Sequence, residues 1–182
     1  MPSRYDDELW ELVPEDPGPP APVLVEFVRG LGPAERALDL GCGDGRLGAL
    51  LDAGRLTLAD VSPVALERAR RRLPRARVVE LEPDAPLPLA DGGFDLVLCT
   101  ETIEHVRDVQ LFLSEIRRVL SPGGRLALST PAAPPLMRPA DPLSPHLRAF
   151  THRSLRRVLG ELGFELNSLR RRSATLLALA TR

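Results

Sequence analysis

Three short runs of this chain carry residues that could do chemistry together. The first is "LDLGCGDG", residues 38–45, in which Gly41, Gly43 and Gly45 follow an apolar, strand-like stretch. Glycines at the carboxyl end of a first strand accept positive φ and let a ligand approach the backbone closely. A G-x-G-x-x-G dinucleotide turn would put its third glycine at position 46, and Arg46 stands there instead. The G-x-G-x-G order suits a ligand with a ribose and a short zwitterionic tail, without a pyrophosphate to cradle. The second run ends at Asp60, nineteen residues after Gly41. A carboxylate at that spacing is placed to accept hydrogen bonds from both hydroxyls of a ribose. Its competing role, capping the next helix, falls better to Ser62. Asp84, after a third strand-like run, could accept from an exocyclic amine such as that of adenine. The N–H of Ala85 would then reach a ring nitrogen. The plainer reading makes Asp84 an ordinary residue of a proline-rich loop.

The third run is "CTETIEHV", residues 99–106, with His146 following later in "SPHLRAF". The plain reading has His105 capping the next helix and Glu104 solvated. The chemical reading makes His105 or His146 a general base for a hydroxyl acceptor. Catalytic candidates are therefore His105, His146 and Glu101.

These runs need elements to hold them. "RALDL", "RLTLAD", "ARVVEL", "FDLVLCT" and "RLALSTP" read as five strands. Helical patterns separate most of them. One is expected through "RLGALLDAG", directly after the glycines. A second, "SPVALERARRRL", has Ser62 as cap and Pro63 in its first turn. A third follows Asp108, with Val109, Phe112, Leu113, Ile116 and Val119 on one face. It stops at "SPGG". "THRSLRRVLGELG" is a fourth, capped by Thr151, with Gly163 past its end. "FELNSLRR" and "ATLLALAT" have no helix between them and should pair as an antiparallel hairpin at one edge. Alternating strands and helices predict an α/β fold with a mostly parallel sheet covered on both faces.

Together these residues resemble the class I S-adenosylmethionine-dependent methyltransferases. "LDLGCGDG" is similar to that family's first motif and "LADVS" to its acidic second. "DAPLPLADGGFDLV" resembles the stretch covering adenine and strand four, and "EIRRVLSPGGRLALSTP" the helix, turn and strand that follow. The likeness spans about residues 36–182; the loop between Asp84 and Phe94 is about one residue shorter than usual. It implies a doubly wound, Rossmann-like seven-stranded sheet of order 3-2-1-4-5-7-6 with strand seven antiparallel. It also implies S-adenosyl-L-methionine as cofactor and S-adenosyl-L-homocysteine as product. Asp39 and the Gly41–Gly45 backbone, Cys42 and Gly43 included, would hold the methionine part. Asp60 would hold the ribose and Val61 would pack on adenine. Asp84 and Ala85 would hold the adenine edge, and Thr100 would lie near the sulfonium. Glu101, Glu104, His105 and His146 also resemble the E-x-x-E-H…H set of small-RNA 2′-O-methyltransferases. In that reading two carboxylates and two imidazoles hold a divalent metal that binds an acceptor oxygen.

The favoured reading is methyl transfer to a small-molecule acceptor, an oxygen slightly preferred, without a metal. Metal-assisted RNA methylation and cofactor binding without catalysis are the alternatives. The bulk numbers fit. A chain of 182 residues with 43% hydrophobic and 27% charged residues suits one globular domain, here residues 1–182. Within it we expect an N-terminal helical arm at 1–33 and a proline-rich acceptor-side loop at 131–150. A net charge of -1 gives no bulk attraction to nucleic acid. The triplets Arg70–Arg72 and Arg170–Arg172 read as solvated charge. Cys42 and Cys99 read as buried, reduced thiols. With no apolar signal core and no long apolar run, a cytoplasmic protein without a membrane span is expected.

Overall fold

The computed structural model describes residues 8, 10–133 and 147–182. Seven strands form one sheet: β1 (Ala34–Leu40), β2 (Ala53–Asp60), β3 (Arg77–Glu80), β4 (Phe94–Thr100), β5 (Leu120–Pro131), β6 (Glu165–Arg172) and β7 (Thr175–Thr181). Their order is β3-β2-β1-β4-β5-β7-β6. The first five run parallel, and β7 is antiparallel to both β5 and β6. The edge hairpin and the strand order implied by the resemblance are both present.

Strand alternation sorts the core. Leu38, Leu40, Val97 and Cys99 face α3 (Val109–Val119) and α4 (His152–Glu161), whose Leu113, Ile116, Leu155 and Leu159 are buried against them. Ala37, Leu96 and Leu98 face the other way, toward α1 (Pro22–Arg29), which inserts Val28. Beside it, Leu58 meets Leu66 and Ala69 of α2 (Pro63–Arg72). Each fully buried leucine contributes about 1.5–3 kcal/mol relative to exposure. Helices therefore cover both faces.

Local signals set the helix ends. The Ser62 side chain accepts from the N–H of Ala65 with Pro63 in the first turn, and Asp108 accepts from Leu111 N–H. Thr151 and Ser154 form a reciprocal capping box. Helix α3 ends at Val119, and β5 begins at Leu120, earlier than the sequence predicts. The register shift between Phe94 and Leu96 accommodates the extra "SPGG" residues.

The expected helix after the glycines does not form. Residues Gly48–Leu50 make only a short 3₁₀ turn before β2 starts at Ala53. Only a few residues lie between the turn and β2, too few for a nucleated helix. Gly48 is also pressed onto Asp39: a Cβ there would lie 2.6 Å from Asp39 Oδ2. The β3–β4 connection likewise has no helix, and α3 supplies its hydrogen bonds instead. Glu115 Oε2 accepts from Leu87 N–H at 2.7 Å, and Arg118 donates to the carbonyls of Leu87 and Leu89.

At the N-terminus, residues 8 and 10–12 are helical, within the arm expected there. Most of the proline-rich loop, with His146, lies outside the described residues. Among the described residues, no helix is long and apolar enough to cross a membrane.

Candidate active site

The carboxyl ends of β1, β2 and β4 open onto one cleft. Its floor is the glycine turn, where Gly41, Gly43 and Gly45 have φ of 73°, 53° and 77°. Side chains are excluded there by space as well as by conformation. A Cβ on Gly41 would fall 2.3 Å from Thr102 Oγ1, and one on Gly43 would fall 2.5 Å from the Trp10 ring. Asp60 holds the turn against β2. Its Oδ2 accepts from Gly43 N–H at 2.8 Å and its Oδ1 from Ser62 N–H at 3.0 Å. These two bonds fix the orientation of the carboxylate at the end of β2.

Arg46, where a dinucleotide turn has glycine, has a structural task. Its Nε pairs with Asp44 at 3.0 Å and its Nη1 donates to the Gly18 carbonyl at 2.7 Å. Arg72 pairs with the other Asp44 oxygen at 3.1 Å. The turn is thereby tied to the N-terminal arm and to the end of α2. Arg68 completes the attachment. It donates to Val13 carbonyl at 2.9 Å, with its guanidinium 5.8 Å from the Trp10 ring centroid. The place of Trp10 on the glycine turn has no local signal in the sequence. Sequence reasoning missed Asp44. The D-G-R spacing was the available signal, since Asp44 and Arg46 lie two residues apart.

The cleft has a volume of about 680 Å³, within the usual range for small-molecule sites of about 300–1,000 Å³. Gly41, Gly43, Asp60, Val61, Asp84 and Ala85 line it, with Glu101 and His105 at the β4 end. Asp84 has φ of 54° and accepts from the N–H of Arg107 at 3.3 Å. Among the described residues the wall is acidic: Asp60, Glu82, Asp84, Glu101 and Asp108 line it with Arg107 as the one arginine, and no lysine exists in the chain.

Other sequence candidates lie behind this wall. Asp39, Cys42, Gly45 and Thr100 are buried beneath or beside the turn. Burial, then the charge of Asp60, pushes the Asp39 carboxyl up to about 7; the Gly48 backbone partly offsets this. Burial also pushes both thiols well above the ordinary range. Cys42 and Cys99 are thus protonated, unreactive core residues.

The "ETIEH" run is held by β5. Glu101 takes the unusual φ of 50°, and its Oε1 accepts from Ser129 Oγ at 2.7 Å. Glu104 is buried rather than solvated, contrary to the plain reading. Its Oε2 accepts from Thr130 Oγ1 at 2.9 Å, and burial pushes its pKa up to about 7. His105 Nε2 lies 4.0 Å from Glu104 Oε1 with the ring partly exposed on the cleft. His105 does not cap α3; Asp108 does. Among the described residues no three of His, Cys, Asp and Glu are grouped to hold a metal ion.

Residues 38–128 match a family described as a methyltransferase domain. An uncharacterised methyltransferase of Mycobacterium bovis is 39% identical over 105 residues, covering 54% of this chain and 52% of that protein. A protein of Mycolicibacterium smegmatis, named a probable S-adenosylmethionine-dependent methyltransferase, is 35% identical over 133 residues, covering 71% of this chain and 51% of that one. The chain thus spans about half the length of these curated relatives. The crystal structure of a putative methyltransferase from Bacillus halodurans superposes with a TM-score of 0.73 at 18% identity, covering 88% of this chain and 99% of that one. At that identity the likeness speaks for the fold.

Proposed function

Because the chain belongs to the S-adenosylmethionine-dependent methyltransferase family, we propose that it transfers a methyl group from that cofactor to a small-molecule acceptor. The observation that carries this reading is the charge of the cleft. Among the described residues, five carboxylates stand around it against one arginine. That field suits a ligand bearing a sulfonium and an ammonium, and it opposes the pyrophosphate of a dinucleotide.

The residues fit the cofactor in parts. Asp60 would receive the ribose hydroxyls, and Val61, Asp84 and Ala85 would hold the adenine. The bare backbone of Gly41 and Gly43 admits the amino-acid tail. Asp39, Cys42, Gly45 and Thr100 support that surface from behind. The bound cofactor supplies an electrophilic methyl carbon on a good neutral leaving group, so alignment accounts for much of the rate.

An oxygen acceptor deepens the reading. The acceptor hydroxyl lies toward β4 and β5, where His105 is exposed on the cleft. His105 takes the hydroxyl proton as the oxygen bonds to the methyl carbon. Glu101, fixed by Ser129, orients the acceptor. His146 is proposed as a second base. Methyl transfer to a panel of small phenols and alcohols, followed with labelled cofactor, tests this. His105→Asn should lower kcat for a hydroxyl acceptor at least about tenfold, in the range of lost general-base catalysis. Unchanged kcat in that variant would remove His105 from the reaction.

A further inference from the structure

The amino ends of the strands, opposite the cofactor cleft, hold a second cavity of about 920 Å³. It exists where two connections lack helices. The short β1–β2 turn contributes Gly48, Ala49 and Leu51, and the β3–β4 connection contributes Ala90 and Gly93. Five arginines line it: Arg36, Arg55, Arg72, Arg75 and Arg77. Among the described residues no carboxylate does. With a chain net charge of -1, this is segregation of charge and not the average of a basic protein.

The arginines are arranged by the sheet. Arg36 and Arg55 are register partners on neighbouring strands, and Arg77 is the partner of Thr57, two residues along from Arg55. Residues so related share one face. Adjacent strands lie about 4.8 Å apart, so the three side chains leave the sheet close together. Among the described residues, Arg36, Arg55, Arg75 and Arg77 have no ion pair. The neighbouring Asp95 accepts from the N–H groups of Glu35 and Arg36 through Oδ2 alone, its Oδ1 is buried without a hydrogen-bond partner, and among the described residues no guanidinium pairs with it. Guanidinium groups gathered without counter-charge repel one another, and a multivalent anion relieves that repulsion. Beside the arginines the wall is apolar, with Leu89 and Phe94, while Leu56 and Leu73 border the cavity from the other face of the sheet.

We propose that this cavity binds a nucleoside polyphosphate, its phosphates on Arg36, Arg55 and Arg77 and its base against the apolar wall. A concave site with both surfaces fits such a compact ligand better than a flat polyanion. The site stands whether or not the methyl-transfer reading holds. A consequence that does rest on that reading is coupling. Arg72 lines the cavity and also holds Asp44 of the glycine turn through its Nε and Nη2. Phosphate drawn to Arg72 loosens that hold, so nucleotide and cofactor should alter each other's affinity reciprocally.

The test is calorimetric titration of the full chain with ATP at low salt, without added metal. One ATP should bind per chain, more weakly as salt rises. Arg55→Glu with Arg77→Glu should weaken it at least about tenfold, since two charge-assisted contacts become repulsive. Both side chains are exposed, and Arg55→Gln with Arg77→Gln gives a milder second variant with a smaller loss. S-adenosylhomocysteine binding should persist in both, which separates this site from the cleft. The proposal is overturned by no ATP binding, by undiminished binding in the reversal variant, or by equal displacement with sulfate at matched ionic strength. Binding of single-stranded RNA without binding of ATP also overturns it. Unchanged S-adenosylhomocysteine affinity at saturating ATP overturns the coupling alone.

Discussion

The backbone N–H of Gly43 donates to Oδ2 of Asp60 at 2.8 Å, joining the glycine turn to the end of β2. One carboxylate thus shapes the floor of the cleft and faces the proposed ribose site. The two tasks can be separated by mutation. Asp60→Ala removes the acceptor for two backbone N–H groups and should cost about 1–3 kcal/mol of stability. Asp60→Asn keeps one acceptor oxygen and should cost less. Both should weaken S-adenosylhomocysteine binding at least about tenfold, or 1.4 kcal/mol. Denaturant unfolding and calorimetry read the two effects. Full binding by a folded Asp60→Ala protein would rule out the ribose role.

Trp10 is the single tryptophan of the chain, and its ring lies against Gly43. Its fluorescence should therefore report the cleft. Saturating S-adenosylhomocysteine should shift or quench the emission. Gly43→Ala places a methyl group 2.5 Å from the ring and should produce a red-shifted, exposed spectrum without ligand. Native emission in that variant would mean that the arm does not rest on the turn.

Much of this arrangement was legible in the sequence. Alternating apolar runs marked the strands, Ser62 and Thr151 marked helix starts, and the unbroken pair "FELNSLRR" and "ATLLALAT" marked the hairpin. The positive φ of the three glycines was also readable, because their spacing allows few other uses. The missing helix after the glycines was not readable. "RLGALLDAG" has helix-compatible residues, but β2 begins at Ala53, inside that run, which leaves too few residues for a helix, and Gly48 is pressed onto Asp39. The position of Trp10 depends on Arg46 and Arg68 reaching chain carbonyls 28 and 55 residues away. The burial of Glu104 depends on Thr130, on another strand, and no local pattern encodes that contact.

Asp39 and Glu104 give a pH dependence. Each carboxyl has its folded-state pKa raised to about 7, from 3.8 and 4.5, mainly by burial. The folded state therefore binds more protons than the unfolded state in that window. Stability should fall as pH rises from about 4 to about 7, then level off as far as these groups are concerned. Glu104→Gln keeps an oxygen for the Thr130 hydroxyl and should flatten the fall. Unfolding free energies at several pH values measure it. An unchanged slope in Glu104→Gln would show that Glu104 titrates normally.

Arg118 is the staple of the helix-free β3–β4 connection. It donates to the carbonyls of Leu87 and Leu89 and pairs with Glu115, whose pKa it lowers. Arg118→Met leaves that carboxylate and both carbonyls without the guanidinium. The expected cost is about 2–3 kcal/mol, below the range for fully buried pairs because the arginine is partly exposed. Since the same connection carries Asp84 and Ala85, cofactor affinity should fall as well. A loss under about 1 kcal/mol in denaturant unfolding would show that the connection is held otherwise.

The cofactor proposed for this cleft is S-adenosylmethionine rather than a dinucleotide. Calorimetric titration of the full chain with S-adenosylhomocysteine, and separately with NADH, tests it most directly. One S-adenosylhomocysteine should bind per chain, at least about tenfold more weakly in Asp60→Ala, and NADH should not bind in the cleft. Tight binding of NADH with none of S-adenosylhomocysteine would contradict the proposed cofactor.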